Sequence, residues 1–195
     1  MKKAGSLFLF CFLYLGSQAQ SVAVINGKEL SLKEFNWVYQ RHRPDKTTPN
    51  LDDLISFLNI YIDFKLKVQD AIAAKMDQDS SFLAETGSYQ AALQQQLKMK
   101  PGQENEKMLM NELKDALLFY SITQQKIWEA ANHAESGILS FYTDHQRSYQ
   151  DRPFEEVRDE VTEDYQHELE CEWINSLRTR YQVSINQHLL GSLVR

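Results

Sequence analysis

Five histidines and the cysteine at position 171 are the side chains in this sequence best suited to metal or nucleophilic chemistry. Metal ligands must converge, and on a helix this needs spacing such as H-E-x-x-H, which places two imidazoles one turn apart. No two of His42, His133, His145, His167 and His188 stand that way, so they read as surface or core side chains. Cys171 lies among Glu168, Glu170 and Glu172, a setting without the positive charge that activates a thiol. The pairs Glu155-Glu156 and Asp159-Glu160 have the residue types for acid–base work, but within a helical pattern they read as its solvated face. A phosphate-cradling loop needs closely spaced glycines and a hydrolase elbow needs G-x-S-x-G; neither occurs. The expectation is a non-enzymatic chain with no metal and no cofactor.

Soft and aromatic side chains are the remaining chemical resource. Methionine and aromatic surfaces adapt to many apolar partners, as a promiscuous polypeptide binder requires. The candidates for contact with polypeptide are Met99, Met108, Met110, Phe119, Tyr120 and Trp128. The stretch from Leu97 to Met110, rich in Gln, Lys and Met around Pro101-Gly102, is expected to form a partly exposed loop or helix tip. Most other aromatic residues, Trp37, Tyr39 and Tyr61 among them, are expected to fill the core.

The elements that must position these residues are mainly helices. Val22 to Asn26 is a short β-type run ending in the turn pair Asn26-Gly27. Ser31 starts a helix with Glu34 three residues on, and Arg43-Pro44 ends it. A second helix, capped by Asn50, runs from Leu51 to Lys75 with apolar residues nearly all round, marking it as central. Further helices are expected from Asp79-Ser80 to about Met99, from Glu104 to Tyr120, from Ile127 to Asn132 and from Leu139 to Tyr149. After Arg152-Pro153, apolar residues recur every three or four positions from Phe154 to Tyr181, the pattern of a long helix packed on one side. Gln182 to Ile185 is a second β-type run, followed by a short helical tail. A lone strand leaves its backbone groups unpaired, so the two β-type runs should pair and join the chain ends.

Residues 1–19 read as a secretory signal: Lys2 and Lys3, then an apolar run from Leu7 to Leu15, then Ser17-Gln18-Ala19 as a cleavage site. The run is shorter than the roughly 20 residues a membrane-spanning helix needs. Cleavage near Ala19 would leave residues 20–195 as one helical domain, made of an N-terminal part (20–120), a short helical connector (121–150) and a C-terminal helix with closing strand (151–195). Without Lys2 and Lys3, 19 basic residues face 27 acidic ones, and such a balance excludes a nucleic-acid footprint. It also suits a chain that makes no stable membrane insertion. Only Cys171 would survive cleavage, so no internal disulfide is expected.

Ala23-Val24-Ile25-Asn26-Gly27-Lys28 followed by Leu32-Lys33-Glu34-Phe35 resembles the opening of SurA-type periplasmic chaperones, the parvulin-like peptidyl-prolyl isomerases of the Bacteroidetes kind. Leu58 to Ala71 is similar to the core helix of that family's N-terminal domain. Arg152-Pro153-Phe154-Glu155-Glu156-Val157 and the stretch from Glu172-Trp173-Ile174 to Tyr181-Gln182-Val183-Ser184-Ile185-Asn186 resemble its C-terminal helix and closing strand. The likeness covers both ends and is weakest between about Pro101 and Ser148. It implies a helical domain completed by the C-terminal segment, with isomerase domains inserted between. Tyr120 to Phe154 is far shorter than the hundred or so residues such an insert needs, so the isomerase domain is expected to be missing.

The combined expectation is a mainly α, SurA-like domain closed by a two-stranded pairing of its ends. It would act as an ATP-independent periplasmic chaperone for unfolded exported or outer-membrane polypeptides, without isomerase activity. The alternative is a non-catalytic subunit for one specific folded cell-envelope partner. Homodimerisation is open to either, because so short a helical module leaves an apolar face to cover.

Overall fold

The computed structural model describes residues 21–43, 49–96 and 102–194. The expected signal segment, Met99 and the Pro44 and Pro101 helix stops lie outside them. The chain divides into two units, one holding residues up to Asn59 together with those from Gln182 onward, the other holding Ile60–Tyr181.

In the first unit, β1 (Ser21–Ile25) and β2 (Lys28–Ser31) form an antiparallel hairpin. Its turn places both Asn26 (φ 49°) and Gly27 (φ 77°) at positive φ, the conformation that two-residue hairpin loops select and that favours Asn-Gly. β3 (Val183–Ile185) pairs antiparallel with the other side of β1, opposing Ala23 to Ile185, Val24 to Ser184 and Ile25 to Val183. The Asn26 amide donates to Gln182 O and the Asn186 amide to Val22 O, each at 2.8 Å, extending that ladder at both ends. The chain ends therefore pair as the two β-type runs imply, but in a three-stranded sheet, β2-β1-β3, rather than a two-stranded one. The extra strand, Lys-Glu-Leu-Ser, has no β-branched side chain to announce it; the turn folds it back onto β1.

Ser31 ends β2 and caps α1 (Leu32–His42), its hydroxyl accepting from the Glu34 amide at 3.1 Å. Phe35, Val38 and Tyr39 are buried on α1, and Phe35 and Tyr39 pack edge-on against Phe57 at 5.9 and 5.1 Å. Asn50 caps α2 (Leu51–Ala73) through its side chain to the Asp53 amide at 2.8 Å, and Asp53 answers to the Asn50 amide at 3.4 Å. α8 (Gln187–Leu190) buries Leu190, followed by a 3-10 turn over Gly191–Leu193.

In the second unit, α2 buries Ile62, Leu66, Val68 and Ala71, while Ile60 on the same helix stays 68 % exposed. The helix is therefore buried around most but not all of its circumference. α3 (Ser80–Gln96) and α4 (Glu104–Thr123) follow. Three residues later than the sequence pattern predicts, α4 gives way to a π-turn over Gln124–Trp128, which runs into α5 (Glu129–Asn132). α6 (Glu135–His145) starts earlier than expected and ends in a 3-10 turn over Gln146–Tyr149. α7 (Phe154–Arg180) is the long helix, burying Val157, Val161, Trp173 and Leu177 of the predicted stripe.

α6 and α7 share a cluster of Ile138, Tyr149, Val157 and Val161, rimmed by Phe141, Tyr142, Phe154 and Tyr165. Gly137 gives the Tyr165 ring room there, because a Cβ would stand 2.6 Å from its hydroxyl and push that side chain aside. Tyr149 donates to Asp164 at 2.8 Å, and burial together with that carboxylate pushes its phenol well above the ordinary range. No helix among the described residues is long and apolar enough to cross a membrane.

Packing of this kind sets the cost of truncation. Leu66→Ala, at a fully buried position, should destabilise the protein by about 2–5 kcal/mol in chemical denaturation. Ile60→Ala on the same helix should stay within about 0.5 kcal/mol of wild type.

Candidate functional site

α4 must serve two neighbours, and its residue types divide accordingly. One face turns toward α2 and α7. Asp115 pairs with Lys65 at 2.7 Å, Phe119 packs on Phe64 at 5.3 Å, and Leu118 and Ile122 are buried. Behind this face lies a buried polar cluster. The Lys67 ammonium pairs with Glu170 and sits over the rings of Phe119 and Trp173 at 5.1 and 5.3 Å. A desolvated cation between two ring faces gains from both quadrupoles. One turn along α2, the Asp70 carboxylate accepts from Trp173 Nε1 at 2.9 Å and from Arg180 at 2.7 Å, and Lys126 stands 3.4 Å away. Asp63 pairs with Arg178 at 2.7 Å. The cluster is satisfied internally and ties α2, the π-turn and α7 together.

The second face of α4 is a stripe of Glu106, Met110, Leu113, Leu117 and Tyr120, spaced four, three, four and three residues apart. Glu106 is the polar end of it. Although only 3 % exposed, its carboxylate accepts from the Gly102 amide at 2.6 Å and from the Gln94 and Gln90 amides of α3 at 3.0 and 3.4 Å. The Gln94 and Gly102 hydrogen bonds, then Gln90 and the charge of Lys107, hold the carboxyl below its usual range against the opposing effect of burial.

At its other end the stripe becomes exposed. Tyr120 is 56 % exposed, and Trp128, 37 % exposed, meets it edge-on at 5.2 Å between ring centroids. In a regular helix, residues eight apart lie about 80° apart around the axis. The π-turn adds one residue to the turn between them, so Trp128 takes the angular place of a seventh residue and stands above Tyr120. The π-turn also directs Ile127 and Ala131 inward.

Of the six residues suggested by type, Tyr120 and Trp128 are brought together as an exposed aromatic pair. Met108 is half-buried, Met110 is 5 % exposed, Phe119 faces the polar cluster, and Met99 lies outside the described residues. Lys67, Asp70 and Glu106, which organise the region, carry no signal in the sequence beyond polar residues within helical patterns. Cys171 is exposed, 3.7 Å from His167 Nε2 one turn away. Among the described residues no three metal-ligating side chains converge. No family model matches the chain, and neither a curated protein nor a solved structure is significantly similar to it.

Asp70→Ala should cost about 1–3 kcal/mol in denaturant unfolding, because it leaves the buried Trp173 N–H without an acceptor, while the exposed Arg180 and Lys126 charges turn to water. Glu106 sets a pH dependence. A carboxyl held below its unfolded value contributes stability above that value, about 4.5, and loses it as pH falls through the lower folded one. Glu106→Gln should therefore flatten the fall in melting temperature on acidification below pH 4.5, measured against wild type.

Proposed function

We propose that this chain is a non-catalytic, ATP-independent holder of non-native polypeptide, exported to the periplasm as its N-terminal segment suggests. The exposed Tyr120–Trp128 pair is the observation that carries the reading. Large amphipathic rings held rigidly at a surface give much contact area for little lost side-chain entropy, and they are the residue types that dominate binding hot spots. A π-turn is a strained device that tends to occur where function requires it. Here it serves to set two aromatic residues edge to face in solvent instead of in the core.

The resemblance of both chain ends to SurA-type chaperones supports the same reading. So does the pairing of β1 with β3, since that family's N-terminal domain is completed by its C-terminal segment. Binding of this kind is noncovalent. Its affinity is limited by the entropy a flexible client loses on docking.

The purified chain, without residues 1–19, should suppress aggregation of reduced α-lactalbumin at stoichiometric excess. The double variant Tyr120→Ala/Trp128→Ala, with far-UV circular dichroism unchanged, should require about tenfold more protein for the same effect. No suppression by the wild-type chain would overturn the reading, and recovery of one folded partner in its place would favour a dedicated subunit.

A further inference from the structure

The sheet of the first unit has two edges, and their side chains differ in kind. β2, on one edge, carries the exposed charges of Lys28 and Glu29. Charged side chains on an edge strand are a common guard against pairing with another chain. β3, on the other edge, carries none. Ser184 is exposed, Ile185 is 37 % exposed, and residues 181–194 include no Asp, Glu, Lys or Arg.

The ladder with β1 fixes which backbone groups of β3 face outward. The Asn26 amide donates to Gln182 O, and the Asn186 amide to Val22 O. Residues that bond to a given neighbour alternate along an antiparallel strand, so Gln182, Ser184 and Asn186 turn their backbone groups toward β1. Val183 and Ile185 turn their N–H and C=O groups the other way, to an edge where no strand among the described residues pairs with them. The complement of such a row of groups is another extended strand.

We infer that β3 is the docking edge for a second copy of this chain, the two β3 strands pairing antiparallel about a two-fold axis through Ser184. The two outward residues sit symmetrically about that position. Val183 of one copy then faces Ile185 of the other, and each such pair exchanges two backbone hydrogen bonds. β-branched side chains meet across the strands, a favourable pairing. Ser184 faces its own copy with a small, exposed side chain. Another extended segment would meet the same backbone groups, but an identical strand matches the symmetry about Ser184 residue for residue. Charge selects the same surface. The chain has a net charge of −6, so two copies repel, whereas strands from residues 182–187 oppose no like charges. Three residues make a small interface, so the dimer is weak and forms by mass action.

Sedimentation velocity of the purified chain between roughly 1 and 300 µM should show the average mass rising from one chain toward two. Ser184→Lys sets two like charges directly opposite each other on the axis, and Ser184→Glu does so with the other sign. Each variant alone should associate about fivefold more weakly than wild type, and their equimolar mixture should regain wild-type association. Neither change alters the backbone ladder with β1, so far-UV circular dichroism should stay the same. Ile185→Pro, which removes an outward N–H and none of the bonds to β1, should also weaken association. A chain that stays monomeric over that range would overturn the inference. So would a dimer that both charged variants form as readily as wild type, or a mixture of the two that gains nothing over either alone. Aggregation suppression decides the polypeptide-binding reading separately.

Discussion

Asp70 is a carboxylate buried on α2, and its burial is tolerated only because three donors, two from α7 and one from the π-turn, converge on it. A charge removed from water costs several kcal/mol unless it is paired and hydrogen-bonded. Meeting that requirement means that the Trp173 indole, the Arg180 guanidinium and the Lys126 ammonium must all arrive together. Lys67, three residues earlier on the same helix, imposes a parallel demand met by Glu170 and the faces of Phe119 and Trp173. Apolar packing alone would tolerate α7 sliding along α2. The polar cluster does not, and it sets the rotation of α7 and the position of the π-turn.

The exposed aromatic pair follows from that constraint. Lys126 reaches Asp70 from within the π-turn, and Ile127 beside it turns inward. With Lys126 and Ile127 so placed, Trp128 is carried outward and over Tyr120. The surface offered to solvent is thus a consequence of what the core requires on the opposite side of the same turn. A change at Asp70 would be felt at Trp128 through this geometry.

α4 illustrates how one helix can carry two kinds of contact. Its face toward α2 is ring packing and a salt bridge, whereas its link to α3 is a set of hydrogen bonds from Gln90 and Gln94 to the Glu106 carboxylate. Side chains alternating between two partners leave no single apolar side. The α7 stripe was plain because one side of the helix meets protein and the other meets water from Val157 to Leu177.

The amino-acid order by itself determined the local events. Ser31 and Asn50 cap because their side chains reach amides three residues ahead, Asn26-Gly27 turns because both residues tolerate positive φ, and Phe154 to Tyr181 is a helix because its apolar spacing matches one face. The pairing of the two chain ends was also legible, since an isolated strand cannot satisfy its backbone. Tertiary structure decided the rest. Lys28–Ser31 became a strand because the hairpin turn laid it against β1, against the weak preference of its own side chains. The π-turn and the convergence on Asp70 depend on residues tens of positions apart. Such contacts are selected by burial and electrostatic balance across elements, and no local spacing records them.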